Sequence, residues 1–594
     1  MILKEKSMAQ QRKFKTVVEA ASLRPTVVGR HHAVATGHYL ATFAGLRVLD
    51  RGGNAVDAGV TSSIALAVLQ PDMSCFASVA PTLIYLKKED RVISLAGLGY
   101  WPAATDVSRL IAAGDGKNVP EGLLRTVMPA APAMYVEALR RFGTISFEEA
   151  ATPALELARG GFAVYPFLAN NIEFLKDSFS RWLDNARIFL PHGRAPRVGE
   201  LFVQEDLGRS LAGMIEAERS ARGDRDRKLR AVHDFFYRGP IADAIAGYHA
   251  QNGGFVTKAD LASFEVPVEE SISVNYRGYQ VHTCDVWCQG IVLLETLRIL
   301  ESFDLKSFGH NSPDYVHTVA EALNLSFADR EAYVGDPKFV HVPTAAMLSE
   351  AYALRQRSRI NPRSAFGRMP DPGNPEDRPV HPAGSHDRVY AAARGAVGFS
   401  PDTIYGCAVD REGNAYSATI SDMAHDTPII PGTGLAISSR GTQSRLAPGH
   451  PSEVRPGKRP RLTPNPALAF RDGKFFMAFG TPGADVQSQA MLQVFLNVVE
   501  FGMTMQQAVE AARFSSWNFP NSFAPHSYFP GRLNLETNMP QGVVEEMRKR
   551  GHDVEIWPLY PPSNAGVCAI RVDPESGLRH AGADPRREGY AAAW

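Results

Sequence analysis

One threonine lies where a predicted β-hairpin begins, and its hydroxyl could act as a nucleophile. In PDTIYGCAVDREGNAYSATIS, residues 401–421, two strands that start at Thr403 flank an Asp-Arg-Glu-Gly-Asn turn. A threonine hydroxyl is a weak nucleophile and needs a base beside it. The α-amine of the same residue, with a pKa of about 7.7–8.0, can be that base only if the preceding peptide bond is broken. Pattern alone leaves two interpretations open: a nucleophile freed by chain cleavage, or the first residue of an ordinary strand.

A second stretch could supply hydrogen-bond donors to an oxyanion. FGTPGADVQSQA, residues 479–490, predicts a strand, a Thr-Pro-Gly turn and the beginning of a helix. Backbone N–H groups at such a helix start can bind negative charge. The simpler interpretation is a strand-to-helix turn that needs small residues.

Two basic stretches have simpler interpretations than binding patches. RDRKLR, residues 225–230, is typical of a solvated helix face. Lys458, Arg459 and Arg461 cluster among prolines in PGKRPRLTPNPAL, residues 456–468. Considered alone, that stretch predicts a rigid surface loop.

The order of predicted elements favours sheets packed between helical layers. Residues 43–69 predict a helix, a Gly-Gly-Asn break and a buried helix, and residues 82–99 predict a strand pair. Residues 121–361 are mostly helical in pattern, and strands return towards the C-terminus. The Pro-rich and charged residues 368–388 predict an exposed loop shortly before the candidate nucleophile.

The composition argues against several classes of function. Lys+Arg and Asp+Glu are equal, at 63 each in 594 residues, which argues against nucleic acid or an anionic membrane as the main partner. Cys284 and Cys288 have no second ligand pair to complete a zinc site. No stretch approaches 18 apolar residues and no signal-peptide pattern is present, so we expect a cytoplasmic protein. We expect no metal and no cofactor, because the nucleophile and its base would share one residue.

Several ordered blocks resemble the γ-glutamyltransferase family of self-cleaving N-terminal-nucleophile hydrolases. They include LRVLDRGGNAVDAGV, EALNLSFADREAYVGDP, PGHPSEVRPGKRPRLTPNPAL and GADPRREGYAAAW, and they span about residues 32–594. The resemblance implies an α+β fold, a four-layer αββα sandwich of the N-terminal-nucleophile hydrolase type. It also implies an N-terminal extension of residues 1–30 followed by a single domain, residues 31–594.

The resemblance implies that the chain is cut and that the cut creates the nucleophile. The family's cleavage position falls between Asp402 and Thr403. Attack by the Thr403 hydroxyl on the Asp402 carbonyl, followed by hydrolysis of the ester, would give chains 1–402 and 403–594. The two chains from one precursor would then be each other's partner in a heterodimer.

The resemblance also implies the groups that assist the nucleophile. Ser421 matches the family's hydroxyl partner of the nucleophile, and Gly483 and Ala484 match the paired glycines whose N–H groups stabilise the oxyanion. Alanine keeps that N–H group.

The acyl-binding positions depart from the family pattern. Leu98 lies where the family has the arginine that binds the γ-glutamyl α-carboxylate, and the acidic residue that holds the α-amine falls near Thr442. Leu462-Thr463 replaces the family's double serine. Arg440 could bind a carboxylate from another direction, although a structural role is the simpler interpretation. Thr463, Arg440 and Thr442 are therefore the substrate-binding candidates.

Three functions remain open. The leading one is a self-processing threonine amidohydrolase that cleaves a small-molecule amide through an acyl-enzyme on Thr403, with water or an amine as acceptor. Its family substrates are γ-glutamyl compounds such as glutathione. The second is an acylase or amidase on an acyl group without the amino-acid head. The third, of another class, is an unprocessed, inactive homologue that serves as a binding or assembly module.

Overall fold

The computed structural model describes residues 22–377 and 403–594. Asp402, one side of the predicted cleavage site, lies outside the described residues, as does the second half of the predicted loop, from residue 378. Thr403 is therefore the first described residue after the gap.

Within these residues, two seven-stranded antiparallel sheets lie at the centre of the fold. In spatial order, the first sheet contains β1 (Val27–Gly29), β20 (Arg579–Ala583), β19 (Cys568–Val572), β15 (Lys474–Gly480), β14 (Ala467–Arg471), β9 (Tyr279–Thr283) and β8 (Ile272–Tyr276). The second contains β21 (Tyr590–Ala593), β2 (Ala33–Thr36), β10 (Ile404–Val409), β11 (Ala415–Ile420), β3 (Thr82–Leu86), β4 (Arg91–Leu95) and β7 (Val268–Glu269).

Short strands lie outside the two large sheets. They are β5 (Phe162–Ala163), β6 (Leu201–Phe202), β12 (Ile429–Ile430), β13 (Leu435–Ala436), β16 (Phe514–Ser516), β17 (Arg532–Glu536) and β18 (Asp553–Trp557).

One helical layer covers the second sheet, and a long buried helix forms its base. The N-terminal helices are α1 (Tyr39–Asp50), α2 (Ala55–Leu69), α3 (Val107–Ala113), α4 (Ala131–Phe142), α5 (Phe147–Gly160), α6 (Pro166–Phe174), α7 (Lys176–Phe179), α8 (Leu183–Phe189), α9 (Glu205–Ser220), α10 (Arg225–Tyr237), α11 (Pro240–Gln251) and α12 (Lys258–Ala262). Every residue of α2 is buried, because its sequence is nearly all apolar or small. Gly59 lets α2 lie against the sheet, since an added Cβ would be 2.1 Å from the Tyr416 ring.

The other helical layer covers the first sheet. Its helices are α13 (Gly290–Leu300), α14 (Leu305–Phe308), α15 (Pro313–Tyr333), α16 (Thr344–Met347), α17 (Glu350–Arg359), α18 (Val486–Val499), α19 (Met505–Glu510) and α20 (Gln541–Lys549). Of these, α13 packs on β8 and β9, and α18 packs on β15. An apolar cluster that includes Tyr85, Cys407 and Ile570 fills the space between the two sheets.

The predicted α+β fold and its four αββα layers are confirmed. The predicted helix break at Gly-Gly-Asn and the predicted hairpin after Thr403 are also present, the second as β10 and β11. β1 pairs with β20, so the first sheet begins inside the predicted N-terminal extension of residues 1–30.

In the described part of the chain, no helix has both the length and the apolar character to cross a bilayer. The same part contains no group of three or more His, Cys, Asp or Glu side chains arranged to hold a metal ion. Cys284 and Cys288 are free thiols buried between the sheets.

Candidate active site

Thr403 and Ser421 face each other at the open end of the β10–β11 hairpin. The register pairs Ile404 with Ile420, so the residues one step outside this pair are opposite each other. Thr403 Oγ1 lies 2.8 Å from Ser421 Oγ, and both side chains are fully buried. The predicted nucleophile and its predicted hydroxyl partner are therefore in direct contact.

Arg440 contacts the serine end of this hydroxyl pair. This residue begins a 3₁₀ helix, Arg440–Gln443, is fully buried, and donates from Nη2 to Ser421 Oγ. A guanidinium group has donors only, so the Ser421 oxygen accepts here, and its own proton can be donated to Thr403 Oγ1. The arrangement supplies Thr403 with a donor that can stabilise negative charge on its oxygen.

Asp422 balances the charge of Arg440. Its Oδ1 lies 3.2 Å from Arg440 Nε and also accepts from the Ser439 N–H at 3.1 Å. Burial raises the pKa of the Asp422 carboxyl to about 6, although the Arg440 charge opposes the shift. The Arg440 guanidinium also lies over the Phe523 ring, 5.2 Å from its centroid. Arg440 is thus held on three sides.

The turn that contains Gly483 and Ala484 has the backbone geometry of an anion site. Both residues have positive φ, 123° for Gly483 and 48° for Ala484. For alanine, this left-handed conformation costs roughly 1–2 kcal/mol. Neither N–H group donates a hydrogen bond to an acceptor among the described residues. Two backbone donors are therefore available to a ligand at the start of α18.

Gln487 connects this turn to the nucleophile. Its backbone N–H donates to the Ala484 carbonyl at 3.2 Å, and its Nε2 lies 3.5 Å from Thr403 Oγ1. One residue of α18 thus reaches both the candidate oxyanion turn and the candidate nucleophile, and the two sites are neighbours.

The substrate-binding candidates lie on the adjoining loops. Gln443 Nε2 donates to Thr463 Oγ1 at 2.8 Å, which joins the 3₁₀ helix to the loop before β14. Thr442 is buried, and its carbonyl accepts from the Ala524 N–H at 3.1 Å. Leu98, by contrast, packs in the apolar cluster between the sheets and is 1% exposed.

The prediction of a surface loop at residues 456–468 is wrong. Lys458, Arg459 and Arg461 are 1%, 5% and 1% exposed. The Arg461 guanidinium pairs with Glu331, which also contacts Arg330 at 2.8 Å. These charges hold the pKa of the Glu331 carboxyl well below its usual range, against the opposite effect of burial. The loop is buried because its charged groups have partners in other segments: Arg461 pairs with Glu331 on α15, and Arg459 pairs with Glu269 and Asp336.

Three polar residues near the site were not identified from the sequence. They are Gln487, Gln289, whose Nε2 donates to the Ala484 carbonyl at 3.0 Å, and Arg587, whose Nη1 lies 3.5 Å from the Thr403 carbonyl. Gln487 falls inside the predicted strand-to-helix turn, and Arg587 falls inside the last family-like block, GADPRREGYAAAW. Gln289 begins another family-like block, QGIVLLETLRILE, but the sequence assigned no role to it.

A two-sheet αββα sandwich with a buried threonine hydroxyl at the start of a central strand is the architecture of an N-terminal-nucleophile hydrolase. The family model described as Gamma-glutamyltranspeptidase matches residues 41–594, and the chain belongs to this family.

Curated relatives and a solved structure cover nearly the whole chain. The "Glutathione hydrolase-like YwrD proenzyme" of Bacillus subtilis is 30% identical over 572 residues, 96% of this chain and 99% of that protein. The "Acylase ACY 1 proenzyme" of a Pseudomonas species is 31% identical over 564 residues, 93% of this chain and 91% of that protein. The crystal structure of a cephalosporin acylase from Bacillus halodurans superposes with a TM-score of 0.83, at 28% identity and 98% coverage of both chains.

Proposed function

We propose that this protein is an amide hydrolase whose nucleophile is the Thr403 hydroxyl, freed by a cut between Asp402 and Thr403. The 2.8 Å contact between the buried hydroxyls of Thr403 and Ser421 carries the proposal. The N–H groups of Gly483 and Ala484, which donate to no acceptor among the described residues, support it. So do the names of two relatives, a glutathione hydrolase-like proenzyme and an acylase proenzyme.

Maturation is an acyl shift followed by hydrolysis. The Thr403 hydroxyl attacks the Asp402 carbonyl, and the C–N bond breaks as the amine takes a proton. The product is an ester between Asp402 and the Thr403 oxygen. Water cleaves this ester and leaves a carboxylate on Asp402 and a free α-amine on Thr403.

Turnover uses the same hydroxyl with the new amine as its base. The α-amine accepts the hydroxyl proton while Thr403 Oγ1 attacks the substrate carbonyl. The N–H groups of Gly483 and Ala484 bind the oxyanion, and Ser421 donates to Thr403 Oγ1. Collapse expels the leaving amine, which takes the proton from the ammonium group. Water or another amine then resolves the acyl-enzyme in the same way.

A second candidate function, acylase activity on groups without an α-ammonium, is favoured by the charges around the site. Asp422 forms an ion pair with Arg440, so its carboxylate is not free to bind the ammonium group of a substrate. A cation bound beside Asp422 would be repelled by the Arg440 guanidinium group. Met423, Ala484 and Phe523 form a small apolar cluster beside it. Leu98 is uncharged and is also buried between the sheets, so it offers no cation to an α-carboxylate. These features fit a neutral or acidic acyl group better than a γ-glutamyl head.

The maturation step is tested by the intact mass and N-terminal sequence of the purified protein. We expect two chains, the smaller beginning at Thr403, and a single uncut chain of 64.8 kDa for Thr403→Ala. Thr403→Ser keeps a hydroxyl and should still be cut. An uncut wild-type chain would favour the inactive-homologue alternative.

The acyl group is tested with a panel of chromogenic amides. The processed protein is assayed with L-γ-glutamyl-, butyryl- and hexanoyl-4-nitroanilide, with Thr403→Ala as the blank. Faster hydrolysis of the simple acyl anilides supports the acylase function. Faster hydrolysis of the γ-glutamyl anilide contradicts it while leaving the nucleophile assignment intact.

A further inference from the structure

The left-handed turn at Gly483 and Ala484 is held from the side by a buried glutamine. Gln289 lies just before α13 and is 1% exposed. Its Nε2 donates to the Ala484 carbonyl at 3.0 Å. The Ala484 carbonyl and the Ala484 N–H belong to adjacent peptide planes that meet at the Ala484 Cα. Fixing this carbonyl therefore restricts rotation of the turn and limits the direction of the N–H groups that precede it.

Gln289 is itself fixed at both ends. Its backbone N–H donates to the Leu462 carbonyl at 2.8 Å, next to Thr463. Its Oε1 accepts from Arg330 Nη1 at 3.0 Å. With its oxygen bound by a guanidinium group, the amide must present its NH₂ group to Ala484. The amide orientation is therefore set by Arg330.

Arg330 is anchored deeply enough to serve as a fixed point. It is fully buried and lies over the rings of Phe327 and Phe519, 4.7 and 5.2 Å from their centroids. It also pairs with Glu331 at 2.8 Å and with Asp485, the residue after Ala484. Arg330 thus contacts the turn twice, through Gln289 and through Asp485.

We propose that Gln289 and Arg330 are positioning residues that aim the N–H groups of Gly483 and Ala484 at the reacting carbonyl. This inference rests on the proposed function. Gln289 acts through the Ala484 carbonyl, and Arg330 acts through the side chains of Gln289 and Asp485. Because oxyanion donors must be placed accurately, a small rotation of this turn lowers the rate of the chemical step more than it changes substrate binding.

The test replaces the amide with groups of the same shape. Gln289→Glu keeps an acceptor for Arg330 but places a second acceptor against the Ala484 carbonyl, and Gln289→Met removes both hydrogen bonds. The matched control is Gln493→Glu, because Gln493 is equally buried on α18 and donates to the Phe514 carbonyl at 2.8 Å, away from the turn. All are assayed as processed protein with the 4-nitroanilide that wild type hydrolyses fastest.

The measured quantity is the single-turnover rate constant at saturating enzyme. This constant does not depend on the fraction of enzyme that is folded, so a loss of stability alone leaves it unchanged. We expect it to fall about 10–100-fold for Gln289→Glu and Gln289→Met, with the half-saturating enzyme concentration within about threefold of wild type. Gln493→Glu should lower the melting temperature without lowering this constant.

The outcomes separate this inference from the proposed function. If the processed wild type hydrolyses no amide, the proposed function fails and the inference fails with it. If wild type is active and either Gln289 variant keeps the wild-type rate constant, only the positioning role is overturned. If a Gln289 variant folds but is not cut while Gln493→Glu is cut normally, the positioning role is supported at the maturation step.

Discussion

The hydroxyl oxygens of Thr403 and Ser421 lie 2.8 Å apart, although 18 positions separate them in the chain. The hairpin register makes this contact, and Arg440 donates to the Ser421 oxygen. The strand pairing therefore positions the candidate nucleophile before any substrate is present.

Ser421→Ala should slow turnover about 10–100-fold, because Thr403 loses the donor that stabilises charge on its oxygen. The Arg440 Nη2 group would lose its acceptor, which should lower the free energy of unfolding by about 1–3 kcal/mol. Steady-state kinetics and urea denaturation measure the two effects. The control is Ser417→Ala on the same strand, since Ser417 is buried and its hydroxyl lies 2.7 Å from that of Tyr405. It should lose stability but keep turnover, and equal turnover losses in both variants would contradict the role of Ser421.

Leu98→Arg should destabilise the protein and should not create γ-glutamyl hydrolysis. Leu98 is 1% exposed in the cluster that contains Trp287 and Leu462, so an arginine here would bury an unpaired charge. We expect a loss of more than about 4 kcal/mol or an insoluble chain, measured by denaturation and by yield. Leu98→Met keeps the volume and should remain close to wild type. A soluble Leu98→Arg protein that hydrolyses L-γ-glutamyl-4-nitroanilide faster than wild type would show that this position reaches the substrate.

Asp72→Asn should stabilise the protein at neutral pH. Asp72 is fully buried, and burial raises the pKa of its carboxyl to about 6, while a 2.7 Å hydrogen bond from Asn171 opposes the shift. A folded-state pKa above the unfolded value means that stability is full below about pH 4 and is lost as the pH rises through about 6.

The Asp72→Asn variant has no such titration. Its free energy of unfolding should match that of wild type at pH 4 and exceed it by about 2–3 kcal/mol at pH 8. Urea denaturation at both pH values gives the difference. A difference that does not change with pH would contradict the prediction.

Glu331→Gln should destabilise the protein by about 3–5 kcal/mol. The substitution removes the carboxylate between the fully buried Arg330 and Arg461. Both guanidinium groups then lose this negative counter-charge. Denaturant midpoints measure the loss. Glu89→Gln, in an exposed pair with Arg91 at 3.7 Å, is the surface comparison and should change little. Similar small effects in both variants would mean that the buried cluster is not an anchor.

Local patterns predicted much of the fold. The alternation after Thr403 gave the hairpin, and the all-apolar run of α2 gave a buried helix, because both depend on neighbouring residues. The four layers and the family were predicted from ordered blocks over the whole chain. Thr403, Ser421, Gly483 and Ala484 were named in the same way, and the structure brings them together.

The remaining features depend on contacts between distant segments. Arg461 was assigned to a surface loop because its partner, Glu331, is 130 positions away. Gln289 reaches the Ala484 carbonyl across 195 positions, and no local pattern indicates that contact. Leu98 was assigned to a substrate-binding position only because it matches the place of the family's arginine in the sequence. The packing of the two sheets instead places Leu98 in the core.

The strand order would make refolding depend on whether the proposed cut has been made. Both sheets combine strands from before and after residue 403: β10 lies between β2 and β11, and β14 lies between β15 and β9. The proposed cut before Thr403 would break none of the strand pairings among the described residues. Refolding, however, would change from a unimolecular reaction of one chain to an encounter of two. An uncut chain can fold at any dilution, whereas two separated chains have to reassemble at a rate that falls on dilution, so heat inactivation of the cut protein should be hard to reverse.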